Sequence, residues 1–242
     1  MAREYLRLLY AQSVPRRRKK PDIASRLVAS VALTLGQAAT RKTLLADMLE
    51  ESEPFGKTSL SHETLASYLA LLKPLHLLVK VPGRIPEARL PKRLYVKPKG
   101  YLADPSLAAA QPGMGSTALV HNWQTSGTIF ESPCIRDLLV HAQAVPDIGF
   151  EPVRCYRDDS GLKADAIIEL ADGRWTAFEI KVGEEGVPAK VSSLKRLHAK
   201  PCGNPKAHVG GSEFIAVITG FSLYARKADE GIYVISIRAL AP

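Results

Sequence analysis

The sequence predicts an α/β (α+β) protein of two modules, and three observations carry that prediction. Its 242 residues are 46% hydrophobic and 24% charged, enough apolar material for the core of one large domain or two modest ones. The charge is unevenly divided: residues 1–100 hold 19 Lys and Arg against 8 Asp and Glu, whereas residues 101–242 hold 14 against 16. Apolar residues recur at helical spacing through residue 143 and then follow strand patterns from Pro152 to Val182. This composition excludes a disordered or fibrous chain. No apolar run approaches the roughly 20 residues that span a bilayer, so no integral membrane protein is expected. The N-terminal MAREYLRLLYAQ has Arg7 inside its only apolar stretch and no small-residue cleavage site, so the expected compartment is the cytoplasm. Cys134, Cys155 and Cys202 have no CxxC spacing and read as reduced, packing thiols.

The elements of the basic half follow in order. Arg16, Arg17, Arg18, Lys19 and Lys20 lie between Pro15 and Pro21, which predicts an exposed, extended arm over residues 1–24; nucleic-acid contact and a plain linker explain it equally well. Leu27, Val28, Val31, Ala32 and Leu35 mark a first helix from Ser25, stopped at Gly36. Thr40 or Thr43 caps a second through Leu44, Leu45, Met48 and Leu49. Ser61 opens a third with Leu65, Tyr68, Leu69, Leu72 and Leu75 on one stripe, and Leu77–Val81 and Leu94–Val96 form a hairpin around a basic loop.

Three helices and a basic hairpin predict a winged helix over residues 25–107. Ser59, Ser61, His62, Thr64 and Ser67 would line the exposed face of its third helix, with Lys80, Arg84, Arg89, Lys92 and Arg93 as phosphate contacts on the wing. Such modules also bind proteins, so the fold leaves both partners open. Gly56-Lys57-Thr58 imitates the end of a phosphate-binding loop, but Glu51 stands where the loop needs glycine; no ATP site is assigned.

A linker at residues 108–116 leads to a second module over residues 117–242. A helix from Thr128 to Gln143 carries Glu131 and is kinked at Pro133 unless that residue falls in an early turn. Three antiparallel strands follow: Pro152–Arg157, Leu162–Leu170 and Arg174–Val182. If Ala171-Asp172-Gly173 is a three-residue turn with Gly173 left-handed, Asp165 stands directly opposite Glu179, with Lys181 on the same face. Facing carboxylates repel, and a magnesium ion would reconcile them, with Glu131 completing its shell if its helix packs over the sheet. Two other readings fit the same residues: a solvated salt-bridge face, or a two-residue turn that puts Asp165 on the opposite face.

Asp165, thirteen residues, then Glu179-Ile180-Lys181, preceded by helical Glu131, resembles the PD-(D/E)xK phosphodiesterase superfamily. KPKGYLADPSLAAA (97–110), IFESPCIRDLLVHAQ (129–143), YRDDSGLKADAIIELADGRWTAFEIKVG (156–183) and FIAVITG (214–220) together resemble the uncharacterised domain found C-terminal to bacterial and archaeal AAA-type ATPases. The resemblance runs from about residue 3 and implies an ATPase core upstream of AREYLRLLY, which this chain lacks. It implies a restriction-endonuclease-like αβββαβ domain with a mixed sheet, Mg2+ held by Glu131, Asp165 and Glu179, and Lys181 in the water-activating position.

The remaining elements suit that core. Val187–Ala199 forms a helix offering Lys190, Lys195 and Arg196 to phosphate, Phe214–Thr219 an apolar central strand, and Ile232–Ile237 a neighbouring or edge strand. The expected function is Mg-dependent phosphodiester hydrolysis on DNA. The alternative is an inactive scaffold binding DNA or protein beside a separate ATPase.

Overall fold

Pro15 and Pro21, which suggested an extended arm, instead open helical turns, because proline at the first helical position forfeits no hydrogen bond. The structure, a computed structural model, describes residues 1–50, 60–84, 97–110, 121, 123–158, 160–202 and 212–240. Helix α1 (Ala2–Leu8) continues through a π turn (Leu9–Ser13) and a 3-10 turn (Pro15–Arg17) that ends at Arg18, whose φ is 54°. Leu6, Leu9 and Val14 are buried, and their burial draws the segment into helix against the sequence expectation.

Helix α2 (Pro21–Leu33) starts four residues before the predicted Ser25, again at a proline. Helices α3 (Arg41–Glu50) and α4 (His62–Leu72) begin at hydroxyl caps. Thr40 Oγ1 accepts from Thr43 N at 3.1 Å and Ser61 Oγ from Thr64 N at 3.1 Å. Leu27, Val28 and Val31, Leu44 and Met48, and Leu65, Tyr68, Leu71 and Leu72 are the buried faces of the three helices.

Strands β1 (Leu78–Val81), β2 (Gly83–Arg84) and β3 (Lys99–Leu102) and helix α5 (Pro105–Ala110) follow. β1 pairs with β3 in a two-stranded sheet. Gly36 N also donates to Gly100 O at 3.0 Å, and Gly100 N to Gln37 O at 3.3 Å, so the chain leaving α2 adds to β3. The expected second hairpin strand Leu94–Val96, the basic residues Arg89, Lys92 and Arg93, the Gly56-Lys57-Thr58 stretch, Ser59 and linker residues 111–116 lie outside the described residues.

The chain divides into two compact units, Met1–Lys80 with Lys99–Ser132, and Val81–Pro98 with Pro133–Pro242. Helix α6 (Trp123–Gln143) starts before the predicted Thr128 and keeps Pro133 in its interior, where the division between units falls.

The second unit is built on strands β4 (Ile148–Arg157), β5 (Lys163–Leu170) and β6 (Trp175–Lys181), helix α7 (Val187–Cys202), and strands β7 (Phe214–Thr219), β8 (Arg226–Asp229) and β9 (Ile232–Ser236). The mixed sheet has the order β2-β4-β5-β6-β7-β9-β8. β4, β5 and β6 run as an antiparallel meander, while β6, β7 and β9 are parallel, so α7 is the crossover that returns the chain between β6 and β7. Val187, Leu194 and Leu197 of α7 pack with Ile167, Trp175, Ala177, Val217 and Val234 in one core cluster. The apolar β7 lies inside the sheet, as expected of a strand buried on both faces. No helix among the described residues is long and apolar enough to cross a membrane.

Candidate functional site

Gly173, with φ 90°, closes a three-residue turn: Leu170 N donates to Arg174 O at 2.8 Å and Gly173 N to Leu170 O at 3.0 Å. The turn sets the β5–β6 register Glu169↔Trp175, Ile168↔Thr176, Ile167↔Ala177, Ala166↔Phe178. Continued by one pair, that register brings Asp165 opposite Glu179, and the two-residue alternative is excluded. Asp165 is 4% exposed and Glu179 is fully buried, so the pair is not a solvated salt-bridge face.

The two carboxylates have different neighbours. Asp165 Oδ2 accepts from Ile180 N at 3.1 Å. Glu179 Oε2 is ion-paired with Lys190 Nζ of α7, whose side chain is 13% exposed, while Glu179 Oε1 is buried with no hydrogen-bond partner among the described residues. Burial first, then the charge of Asp165, pushes the Glu179 carboxyl up to about 7, with Lys190 acting in the opposite direction.

Lys181, on the same face as Glu179, is exposed. Its methylenes run past Gly186, where a Cβ would lie 3.3 Å from Lys181 Cδ. The ammonium on Glu179 is thus supplied by Lys190, which by sequence alone is a candidate phosphate contact. Its partner was hidden because a lysine eleven residues further on meets the strand only once α7 folds back. Lys195 pairs with Asp229, and Arg196 is exposed.

Glu131 belongs to the first unit. Its Oε1 accepts from Tyr101 Oη at 2.6 Å and from Lys99 Nζ at 2.9 Å. The carboxylate lies against Gly36, at whose φ of 67° a Cβ would come within 3.0 Å of Glu131 Oε2. Gly36→Ala therefore combines a left-handed backbone with a close contact and is expected to lower stability by about 2 kcal/mol. Urea unfolding checks this. Among the described residues no group of three or more His, Cys, Asp or Glu side chains is placed to hold one metal ion.

Of the basic residues, Arg16, Arg17, Arg18, Lys20 and Lys80 are exposed. Lys19 instead donates to Ser67 Oγ at 2.9 Å and sits 5.2 Å from the Tyr68 ring centroid, which draws Ser67 away from the role of a bare recognition-face residue. Arg84 is a correction: it is 1% exposed, its Nε donates to Glu169 Oε2 at 2.7 Å, its Nη2 pairs with Oε1, and its guanidinium lies 5.7 Å from the Trp175 ring centroid. A phosphate contact needs an accessible guanidinium, and this one is enclosed. Sequence reasoning also passed over Thr219 and Ser236, although each is a hydroxyl near the end of an otherwise apolar strand; both are buried.

No curated protein matches the chain. Among solved structures it is similar, at 10% identity and a TM-score of 0.30, to a chain of the refined half-complex from the tetradecameric assembly of Thermococcus gammatolerans McrB AAA+ hexamers with bound McrC, over 89% of this chain and 70% of that one. Residues 126–240, which hold Asp165, Glu179, Lys181 and Lys190, are the part of the chain that is similar to a domain family of unknown function, DUF4143.

Proposed function

We propose that the second unit binds a divalent cation through Asp165 and Glu179 and hydrolyses phosphodiester bonds of DNA. One observation carries this reading: two carboxylates are buried side by side, and Glu179 Oε1 is buried with no hydrogen-bond donor to it among the described residues. Such an oxygen calls for a ligand. Magnesium, which is typically held by one or two carboxylates together with substrate phosphates, suits a pair rather than a larger cage. Bound there, it would lower the pKa of a water and polarise a phosphoryl oxygen. The protein's own part is to hold Glu179 by Lys190, fix Asp165 through Ile180 N, and offer the exposed Lys181 to orient the water or the phosphate.

Exposed Arg16, Arg17, Arg18, Lys20 and Lys80 give the first unit its attraction to a polyanion. The sequence resemblance implies an ATPase core upstream of AREYLRLLY, and a separate AAA-type ATPase is the partner that would stand in its place. Titration calorimetry with Mn2+ is expected to show binding that weakens roughly tenfold or more in Asp165→Asn, with cleavage of branched or linear DNA lost in the same variant. A folded Asp165→Asn protein that still cleaves would reject the mechanism.

The ion pair of Lys190 with Glu179 favours a second reading, in which an internal ammonium takes the place of the metal and the domain is a scaffold. That reading is supported if wild type binds no Mn2+ and binds DNA with an affinity that falls steeply with salt and is indifferent to magnesium.

A further inference from the structure

Beyond the carboxylates, the same face of the sheet ends in a row of polar side chains on three parallel strands. Lys181 of β6 is in register with Thr219 of β7, and Thr219 with Ser236 of β9. Register partners on neighbouring strands share a face, and so do residues two apart on one strand, which puts all three on the face that carries Glu179, one row further towards the strand ends. Thr219 is fully buried and Ser236 is 2% exposed, yet neither Thr219 Oγ1 nor Ser236 Oγ has a hydrogen-bond partner among the described residues. A buried hydroxyl without a partner is destabilising by about 1–3 kcal/mol. Two of them on adjacent strands do not arise from packing needs, since valine and alanine would fill the same space without the loss.

The position of the row says what kind of group they meet. It lies at the carboxyl ends of parallel strands, where open α/β sheets hold their ligands, and α7 begins at this end with the positive pole of its helix dipole. Asp165 and Glu179 bring at most two negative charges to this face, Glu179 being partly protonated near neutrality, and Lys181 and Lys190 bring two positive ones, so the local sum is not negative. The hydroxyl hydrogens and the exposed ammonium of Lys181 then set the preference towards an anionic oxygen. The turn after β6 is tied by Glu184 to Arg226 at the start of β8 through contacts of 2.7 and 2.9 Å. Exposed pairs of this kind are worth about 1 kcal/mol or less and yield easily.

We propose that Thr219, Ser236 and Lys181 form a phosphate-binding subsite next to the carboxylate pair, seating a phosphate group of the nucleic-acid backbone. The inference deepens the phosphodiesterase reading and rests on it for the identity of the substrate. Its test, however, needs no metal.

The full-length chain in EDTA is titrated with inorganic phosphate and, separately, with a thymidine dinucleotide, following the melting temperature and the phosphorus resonance. Both probes are expected to raise the melting temperature of the wild type, and the dinucleotide arm identifies the backbone phosphodiester as the source. In Thr219→Val/Ser236→Ala, affinity for both is expected to fall by about tenfold for each hydroxyl removed, while stability without ligand stays level or rises. Thr219→Ser with Ser236→Thr restores binding. Binding of inorganic phosphate but not of the dinucleotide would overturn the backbone assignment. A wild type indifferent to both probes, or a double variant that loses stability but keeps the response, overturns the subsite. Mn2+ calorimetry on the same double variant separates the two readings: cation binding retained with phosphate binding lost leaves the cation site standing, and cation binding absent in wild type removes that reading alone.

Discussion

Arg84→Ala is expected to destabilise the second unit by about 3–5 kcal/mol, among the largest effects available to a single substitution in this protein. Arg84 is 1% exposed and is held by both oxygens of Glu169, whose side chain is 24% exposed. Removing the guanidinium leaves Glu169 without its counter-charge and takes the flat cation from beside Trp175, itself 2% exposed. Replacing both partners by methionine is expected to recover most of the loss, because a buried ion pair compared with an apolar pair of similar volume is close to neutral. Urea unfolding of the two single variants and the double variant measures the coupling. The same set tests whether Arg84 ever meets DNA. A phosphate contact removed lowers the salt dependence of binding by about one counterion, and no such change is expected for the folded Arg84→Met/Glu169→Met protein. A clear drop in that slope would return Arg84 to the surface.

The second large effect is on pH dependence and comes from Glu179, whose carboxyl is raised from 4.5 to about 7. Between those values the folded protein retains a proton that the unfolded chain has released. The stability contribution of this group is therefore fully present below pH 4.5 and is lost as pH rises towards 7. Relative to Glu179→Gln, which has no such proton, the wild type is expected to lose roughly 3 kcal/mol between pH 4 and pH 8. Unfolding of both proteins in EDTA across that range checks the difference, and a difference that stays flat would show that folding leaves the Glu179 carboxyl unshifted. Lys190→Met removes the ammonium that opposes the shift, so the loss is expected to be larger and to continue to higher pH.

Local chemistry was legible in the sequence and partnership was not. The Ala171-Asp172-Gly173 turn fixes the β5–β6 register by itself, because only a glycine-closed three-residue loop lets the hydrogen bonds of Leu170 with Arg174 and Gly173 form, and the placement of Asp165 against Glu179 follows. Ser61 and Thr40 announced their helices for the same reason: a cap is read within three residues. Arg84, by contrast, sits in a basic stretch that looks solvated, and the carboxylate that encloses it is 85 residues away. The basic cluster before Pro21 misled through proline. In the sequence its ring reads as a barrier to helix, whereas at a first helical position it is an initiator.

The way the chain passes between its two units has a consequence for anyone cutting the gene. Residues 81–98 belong with residues 133–242, and residues 99–132 return to the first unit, so neither unit is one uninterrupted stretch of codons. A fragment beginning after residue 116 omits β2, which covers the edge of β4 through the parallel pairs Gly83↔Cys155 and Arg84↔Tyr156. Such a fragment would bare an unpaired strand edge and strand Glu169 without its arginine, which invites edge-to-edge association. The short segment around Arg84 is better regarded as a strap delivered in advance by the other half of the polypeptide, and an excised domain should carry it, fused or supplied as a peptide.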